Sequence, residues 1–289
     1  MIEDKIDLVM WTKNGATFLP MVLRRIEEVV ASENISKKIM IDDGSTDSTV
    51  KIGTNYNWRV FQNPDGGVSS GANEALRHVC ANRFVSIEQD VVLAKNWWEK
   101  IPLLLEDKKV LAASGVRVPD QPLALKLISD YTNQRYFEQT KVNTGFPYGK
   151  TLDNTIYRTK LLRQIGGFPK LHINSGVDTA LAKQINDKGY LWKVNFNVKS
   201  THLRHGFINE LRHGYWYGTE SAMLSLELQE KPALASMFMR TLFSPFRGLQ
   251  IAYRKMHWQV SLAYPLMRFS TFLGVLKGYS KQTFEREFT

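Results

Sequence analysis

Carboxylate side chains follow two apolar runs of the sequence at the point where each run ends. Asp42 and Asp43 come directly after residues 39–41, and Glu88-Gln89-Asp90 follows residues 84–87. Two carboxylates at positions i and i+2 suit a hard divalent cation that also binds substrate phosphates. An acid-x-acid triplet alone is usually a solvated loop, and paired acids also occur in polar turns. These residues therefore indicate metal-assisted phosphate chemistry as a hypothesis that needs further support.

Several familiar nucleotide and metal sites are excluded. No G-x-G-x-x-G motif occurs, and the glycine-rich stretch 66–71 continues with Ala72-Asn73, where a Walker A loop needs Lys and Ser or Thr. His202 and His205 lie three positions apart, without the Glu and the i, i+4 spacing of a zinc protease. The single cysteine, Cys80, can form neither a disulfide framework nor a structural zinc site, which favours a reducing compartment. Dinucleotide enzymes and P-loop NTPases are therefore poor interpretations.

The first part of the chain alternates strand-like and helix-like segments. Strand-like runs occupy residues 5–11, 39–41 and 84–87, and helical periodicity occupies residues 19–31 and 69–81. This alternation predicts an α/β fold with a mostly parallel sheet flanked by helices. In such sheets, ligands bind beyond the carboxyl ends of the strands. The loops at residues 12–15, 42–47 and 88–90 should therefore converge on one crevice.

Several segments of the sequence resemble the family-2 glycosyltransferases, which have the GT-A fold. They are IDDGSTDST at residues 41–49, GVSSGANEA at 67–75, EQD at 88–90, IGGFP at 165–169, DTAL at 178–181 and KGY at 188–190. The resemblance runs in order over residues 5–205, and the ordered set is more specific than any one motif. It implies an inverting, nucleotide-sugar-dependent transferase of the membrane-associated type, with a GT-A-type sheet. The C-terminal amphipathic helical appendage is instead an expectation from the composition of the tail.

The resemblance also implies a role for each matching residue. Donor binding is implied for Thr12, Asn14, Asp42, Asp43, Gly67, Asn73 and Glu88. Asp90 and His202 would bind Mg²⁺ or Mn²⁺ at the diphosphate, and His205 competes for the role of His202. Asp178 would be the general base that deprotonates an acceptor hydroxyl as it attacks the anomeric carbon. Stabilisation of a helix N-terminus is the alternative role of Asp178.

Two positions depart from the family pattern. Glu88 replaces the usual first Asp of the metal motif, which lengthens its arm, and Val177 stands where the family often has Glu. The implied chemistry is still consistent, because a divalent ion neutralises the charge that develops on a diphosphate leaving group. A carboxylate within hydrogen-bond reach also takes the proton that an alcohol acceptor must lose.

The last fifth of the chain is basic and rich in aromatic residues. Of the net charge of +10, residues 231–289 carry +7, from nine basic and two acidic residues. The pattern predicts a catalytic domain at residues 1–215 and a helical tail at 216–289, interrupted at Pro245 and Pro265. Such helices typically lie in the membrane interface and are attracted by anionic lipids, and packing on the catalytic domain is the alternative. The longest uncharged run there has 12 residues, whereas a membrane-spanning helix needs about 20.

These expectations combine into a metal-dependent glycosyltransferase, peripheral or monotopic, at the cytoplasmic face of a membrane. The expected reaction moves a sugar, with mannose as the first candidate, from GDP-mannose or a UDP-sugar to a hydroxyl group of a lipid-linked saccharide. A polyprenyl-phosphate acceptor is one alternative, and a non-catalytic basic module that binds membrane or nucleic acid is another. No nucleic-acid motif accompanies the charge. The expected partners are therefore the nucleotide-sugar, the acceptor and an anionic membrane surface, without nucleic acid.

Overall fold

The computed structural model forms two compact units. It describes residues 5–287 apart from 121, 143–149, 172, 174, 204–205 and 228–233, and the side chains of 136, 138–142 and 281–287 also lie outside the description. The sheet unit comprises Met1–Val118, Asn133–His172 and Val177–Leu203, and the helical unit comprises Pro119–Thr132, Ile173–Gly176 and Arg204–Thr289. Each unit is considered separately below.

An eight-stranded sheet runs through the described part of the chain. Its strands are β1 (Ile6–Thr12), β2 (Ile35–Asp42), β3 (Arg59–Gln62), β4 (Arg83–Ser86), β5 (Val91–Val92), β6 (Val110–Pro119), β7 (Thr155–Arg158) and β8 (Leu191–His202). The strand order is β3-β2-β1-β4-β7-β6-β8-β5. The helices of the first two thirds of the chain are α1 (Leu19–Val29), α2 (Thr49–Asn55), α3 (Gly67–His78), α4 (Trp97–Lys100), α5 (Leu123–Val142), α6 (Thr159–Gln164) and α7 (Val177–Asp187).

The predicted α/β class is confirmed, and the parallel pairing lies in one half of the sheet. Strands β3, β2, β1 and β4 pair in parallel. Strand β7 pairs antiparallel with both β4 and β6, and β5 pairs antiparallel with β8. The sheet is therefore mixed. The hydrophobic periodicity of a short strand such as β7 does not distinguish parallel from antiparallel pairing, because the direction of the strand depends on the connection that leads into it.

Strand β1 is buried on both faces, which explains its continuous apolar sequence. Every residue of the strand is buried. Leu8 and Met10 belong to a core cluster with residues of α1, whereas Val9 and Trp11 belong to a second cluster with Ala72 of α3 and residues of α7. Successive side chains of a strand point to opposite faces, so helices on both sides of the sheet cover β1. This packing places the carboxyl end of β1 at a defined position beside β2 and β4.

The helical unit is built around two closely packed helices. Its C-terminal helices are α8 (Phe207–Glu227), α9 (Leu234–Leu242), α10 (Ser244–Lys255) and α11 (Gln259–Glu287). A Cβ atom on Gly218 of α8 would lie 2.0 Å from the carbonyl oxygen of Thr271, and one on Gly274 of α11 would lie 1.9 Å from that of Tyr215. The backbones of α8 and α11 therefore touch, which only glycine allows at these positions.

The helical tail that the sequence predicts differs from the structure in two details. Residue 215 lies inside α8, and Pro265 lies inside α11 without ending it. Pro245 does stand at the beginning of a helix, in the first turn of α10, where a missing N–H breaks no hydrogen bond. Among the described residues, the helices are all too short or too polar to cross a membrane.

Candidate active site

Three loops at the carboxyl ends of β1, β2 and β4 converge, as the alternation of strands and helices predicts. Asn14 adopts a positive φ of 49°. Its side-chain oxygen accepts the N–H of Thr46 at 2.8 Å, and its own N–H donates to Ser45 Oγ at 2.9 Å. On the other side of the same loop, the buried Thr12 hydroxyl donates to Gln89 Oε1. Predicted donor-binding residues Thr12 and Asn14 thus lie where the first loop meets the other two.

Asp42 ends β2 as a buried carboxylate with one free acceptor position. Its Oδ2 accepts the backbone N–H groups of Gly44 at 3.1 Å and Ser45 at 2.9 Å. Its Oδ1 is buried and has no hydrogen-bond partner among the described residues. Leaving a buried acceptor unpaired is unfavourable by about 1–3 kcal/mol, and by more for a charged group. A ligand that supplies an N–H or O–H to Oδ1 would remove that cost.

Asp43 is held at the N-terminus of α3. Its Oδ1 accepts Asn63 Nδ2 at 3.1 Å and the Gly67 N–H at 3.2 Å. Its Oδ2 lies 3.1 Å from the ammonium of Lys13, which is 61% exposed. An ion pair this exposed contributes only about 0–1 kcal/mol, so a ligand can displace the lysine at small cost. Gly66 precedes this turn with a φ of 72°, and a Cβ there would lie 3.2 Å from Asp43 Oδ1.

The triplet after β4 meets two further strands. Asp90 Oδ2 lies 3.1 Å from His202 Nε2, and the antiparallel register that pairs Val91 with His202 sets this contact. The buried His202 thus joins the predicted metal residue Asp90, whereas its competitor His205 lies outside the described residues. Glu88 Oε2 lies 3.7 Å from Arg117 Nη1 on β6. Two predicted metal ligands that are 112 positions apart in sequence therefore come together.

The Asp90–His202 pair offers two kinds of donor atom for a divalent ion. The described part of the chain contains no group of three or more His, Cys, Asp and Glu side chains that could hold a metal. Mg²⁺ and Mn²⁺ are commonly bound by one or two carboxylates together with substrate phosphates and water, and imidazole is a further ligand of transition metals. Two side chains with these donor atoms fit an ion that needs its remaining ligands from a bound diphosphate.

Arg117 lies among carboxylates. Its Nη1 is 2.8 Å from Oδ2 of Asp153, a completely buried side chain on the segment before β7. Asp178 lies in the first turn of α7 and accepts the Thr179 N–H at 2.8 Å. Burial raises the pKa of Asp178 above its ordinary value, and the positive charge of Arg117 opposes that shift. The Asp178 carboxyl is therefore a stronger proton acceptor than an exposed Asp.

Comparison with known proteins decides the family. Residues 7–166, more than half of the chain, match the sequence profile of Glycosyl transferase family 2. The chain belongs to that family. No curated protein sequence matches the chain.

Solved structures support the same fold for this glycosyltransferase. A mannosyltransferase from Pyrobaculum calidifontis, in complex with GDP-Man and Mn²⁺, is similar with a TM-score of 0.64 and 15% identity over 95% of this chain and 87% of that one. Glucosyl-3-phosphoglycerate synthase from Mycobacterium tuberculosis, in complex with Mn²⁺, UDP and glucosyl-3-phosphoglycerate, is similar with a TM-score of 0.54 and 13% identity over 80% and 82% of the two chains. At these identities the likeness establishes the GT-A fold.

Asn73 has contacts that differ from those expected of a donor-binding residue. Its Nδ2 donates to the carbonyl oxygens of Ser69 at 3.0 Å and Phe168 at 2.9 Å, and its Oδ1 accepts the Phe168 N–H at 3.0 Å. A Cβ on Gly167 would lie 2.8 Å from Asn73 Oδ1. The side chain therefore ties the 165–169 segment to α3, while Gly67 of the same helix contacts Asp43 through its backbone.

Three residues of the glycosyltransferase site were not identified from the sequence. They are Gln89, Arg117 and Asp153. The sequence does indicate a special role for Arg117, because it is the one charged residue in the ten-residue strand VLAASGVRVP, whose other members are apolar or small. A charged residue in such a strand requires a partner. Gln89 and Asp153 had no comparable signal, since both lie in segments with polar neighbours.

Proposed function

We propose that this glycosyltransferase transfers a sugar, with inversion, from a nucleoside-diphosphate sugar to a hydroxyl group of a lipid-linked saccharide at the cytoplasmic face of a membrane. The observation that carries the proposal is a set of contacts in the sheet unit that links three carboxylates to the triplet at residues 88–90: Asp43 through Lys13 and Gln89, Asp90 as a member of the triplet, and Asp178 through Arg117 and Glu88. Asp43 lies at the converging loops, Asp90 contacts His202, and Asp178 lies within the electrostatic influence of Arg117. These groups match the three tasks of donor binding, metal binding and proton removal.

The donor is proposed to bind through its nucleoside at the loops after β1 and β2. Asp43 and the buried, unpaired Oδ1 of Asp42 would accept hydrogen bonds from the base or the ribose. Thr12 and Asn14 hold the first loop in place beside them. GDP-mannose and UDP-sugars are both candidates, because the mannosyltransferase relative was solved with GDP-Man and the synthase relative with UDP.

The leaving group is proposed to depart from the side of Asp90 and His202. These two side chains would hold Mg²⁺ or Mn²⁺, which supplies charge neutralisation for the diphosphate when it is bound. Glu88 stands next to them in contact with Arg117. Its longer arm and its pairing with a guanidinium make Glu88 a better candidate for a donor contact than for a metal ligand.

Asp178 is proposed as the base that activates the acceptor. The acceptor oxygen attacks the anomeric carbon on the face opposite the diphosphate, its proton passes to the Asp178 carboxylate, and the bond to the diphosphate oxygen breaks. A base is most effective when its pKa approaches the working pH, and burial moves the pKa of Asp178 in that direction. A lipid phosphate would arrive already ionised and would not need this residue.

The helical unit is proposed to bind a membrane surface. Its last three helices and the turns between them expose many large apolar side chains: Phe238, Met239, Leu242, Phe243, Phe246, Leu249, Tyr253, Met256, Trp258, Leu262, Leu266, Phe269, Leu273 and Leu276. Soluble monomers rarely expose apolar residues on this scale. Exposed basic residues, such as Arg240, Arg254 and Lys277, lie on the same helices. This combination suits the interface of an anionic bilayer, where the apolar groups enter the lipid and the cations meet the headgroups.

The enzymatic part of the proposal is tested with a panel of UDP- and GDP-sugars, with and without Mn²⁺, scored by donor hydrolysis and by transfer to a saccharide acceptor. Asp43→Ala, Asp90→Ala and Asp178→Asn should each abolish transfer, and Asp187→Asn, an exposed Asp on the same helix as Asp178, should not. Unchanged Mn²⁺-dependent turnover in Asp90→Ala would contradict the metal assignment. An Asp178→Asn variant that still glycosylates a polyprenyl phosphate at the wild-type rate would identify a lipid phosphate as the acceptor.

The membrane part is tested by flotation of the full chain with phosphatidylcholine vesicles that contain or lack phosphatidylserine. Reversing the charges of Arg254 and Lys255 to Glu should weaken binding to the anionic vesicles by about 30-fold or more, at about 1 kcal/mol per lost cation. The matched control reverses Lys51 and Lys108, which are exposed in the sheet unit. Equal binding of the two double variants would contradict a membrane role of the helical unit.

A further inference from the structure

Gln89, the middle residue of the triplet, clamps the loop that follows β1. Its Oε1 accepts the Lys13 N–H at 2.9 Å, and its Nε2 donates to the Lys13 carbonyl at 3.0 Å. The same Oε1 also accepts the Thr12 hydroxyl. One side chain therefore satisfies both backbone groups of Lys13, although the two residues are 76 positions apart in sequence. Such a two-point backbone contact fixes the position of a loop more strictly than one hydrogen bond.

Gly15 makes room for this clamp. A Cβ at Gly15 would lie 2.4 Å from Gln89 Oε1 and 2.7 Å from its Cδ. The Gly15 N–H in turn donates to Thr49 Oγ1 at 2.7 Å, in the first turn of α2. The amide of Gln89 thus packs directly against the backbone of Gly15, which is hydrogen-bonded to the beginning of α2.

The three side chains of the triplet have three separate partners. Glu88 contacts Arg117 of β6, Asp90 contacts His202 of β8, and Gln89 contacts the loop after β1. Gln89 therefore joins the loop assigned to the nucleoside with the residues assigned to the diphosphate and its metal ion. The pairing of β1 with β4 sets the positions of the two strand ends, and Gln89 adds a side-chain contact between the loop after β1 and the triplet after β4.

We propose that Gln89 is a positioning residue for donor binding, which holds the loop at residues 12–15 in the conformation that receives the nucleoside. The proposal rests on the proposed function, since it takes these loops as the nucleoside site. Gln89 does not act on the reacting atoms. Gln89 orders the loop before the donor binds, so that less of the binding free energy is spent on ordering the loop.

The test measures the dissociation constants of UDP and GDP in EDTA by calorimetry, and that of Mn²⁺ alone by electron paramagnetic resonance. Gln89→Met keeps the length of the side chain and removes all three hydrogen bonds. It should weaken the nucleotide that the wild-type protein binds by about tenfold, which corresponds to the net free energy of roughly one hydrogen bond. The Mn²⁺ affinity should stay within about threefold of wild type, because Asp90 and His202 keep their side chains.

Gln184→Met is the matched control. Gln184 also donates to two backbone carbonyls, those of Ile165 at 2.7 Å and Gly167 at 3.2 Å, but in another part of the sheet unit. A loss of nucleotide affinity in Gln184→Met as large as in Gln89→Met would show general destabilisation and would overturn the proposal. Thermal unfolding of both variants checks that each is folded at the temperature of the titrations.

Gly15→Ala gives an independent variant. Its methyl group would displace the Gln89 amide, so it should weaken the nucleotide in the wild-type background and have a smaller effect in Gln89→Ala, where the amide is gone. Additive effects of the two substitutions would overturn the proposal.

If the wild-type protein binds neither UDP nor GDP, the proposed function fails. If it binds one of them and Gln89→Met binds it equally well, the role of Gln89 alone is refuted.

Discussion

The contact between α8 and α11 predicts opposite effects for two substitutions on the same helix. A Cβ on Gly218 would lie 2.0 Å from the Thr271 oxygen and 2.9 Å from the Val275 nitrogen, both backbone atoms of α11. A Cβ on Gly214, one turn earlier, would meet the Thr271 side-chain oxygen at 3.2 Å, and its nearest backbone neighbour is at 3.8 Å. Alanine therefore fits at residue 214 and forces the two helices apart at residue 218.

The size of the difference follows from these distances. A carbon and a carbonyl oxygen approach to roughly 3.3 Å, so Gly218→Ala requires the helices to separate by about 1.3 Å. Overpacking of this kind destabilises by about 1–3 kcal/mol, whereas alanine in place of glycine in a helix stabilises by about 0.5–1 kcal/mol. Gly218→Ala should therefore lower the free energy of unfolding by up to about 2.5 kcal/mol. Gly214→Ala should leave it unchanged or raise it by up to about 1 kcal/mol.

The assay is amide hydrogen exchange in α8 and α11, supported by guanidinium unfolding of the full chain. A difference of about 2 kcal/mol between the variants corresponds to about 30-fold faster exchange from local opening in Gly218→Ala. Comparing two variants of one helix removes the effect of helix propensity, which is the same for both. Equal protection in the two variants would refute the backbone contact between α8 and α11.

Three further predictions concern the candidate active site. Because burial raises the pKa of Asp178, its ionised form destabilises the folded chain at neutral pH. Asp178→Asn should therefore raise the melting temperature at pH 7 while abolishing transfer. This gain should shrink as the pH falls through the raised pKa of the folded state and vanish below about 3, where the wild-type carboxyl is protonated in the unfolded state as well. Arg117→Gln removes the charge that lowers the pKa of Asp178, so the acid limb of the kcat/KM profile should move to higher pH, and Arg117→Lys should leave it closer to wild type; a shift to lower pH would contradict the electrostatic role of Arg117. His202→Gln should raise the Mn²⁺ concentration needed for half-maximal donor hydrolysis by about 10–100-fold, and an unchanged Mn²⁺ titration would exclude His202 as a ligand.

The donor loops could be predicted because a parallel sheet brings strand ends together. Apolar runs followed by Thr12, Asp42 and Glu88 mark the ends of adjacent strands, and the strand order β2-β1-β4 places those ends side by side. The pairing of Asp90 with His202 was expected from the family resemblance alone. Nothing in the local sequence of either residue indicates it, because the contact depends on the antiparallel register of β5 and β8.

The residues that were missed have partners that the sequence does not display. Gln89 binds the backbone of Lys13. Every residue has the same backbone groups, so a sequence pattern cannot identify such a partner. The Arg117–Asp153 pair joins β6 to the segment before β7. The two residues meet because β6 and β7 pair antiparallel, and the expectation of a mostly parallel sheet did not include this pairing. Pro265 predicted an interruption of the helix, but α11 continues through it. Tertiary packing therefore outweighs the intrinsic helix preference of this one residue.

The mixed sheet separates the residues proposed for two different tasks of the enzyme. The residues assigned to the nucleoside lie on the parallel strands β1 and β2 and at the start of α3, whereas Arg117 and His202 lie on β6 and β8, beyond the antiparallel strand β7. The segment between β4 and β5 contacts both groups, through Gln89 on one side and Glu88 and Asp90 on the other. Substitutions that alter the choice of nucleotide could therefore accumulate in one half of the sheet while Arg117 and His202 stay unchanged in the other.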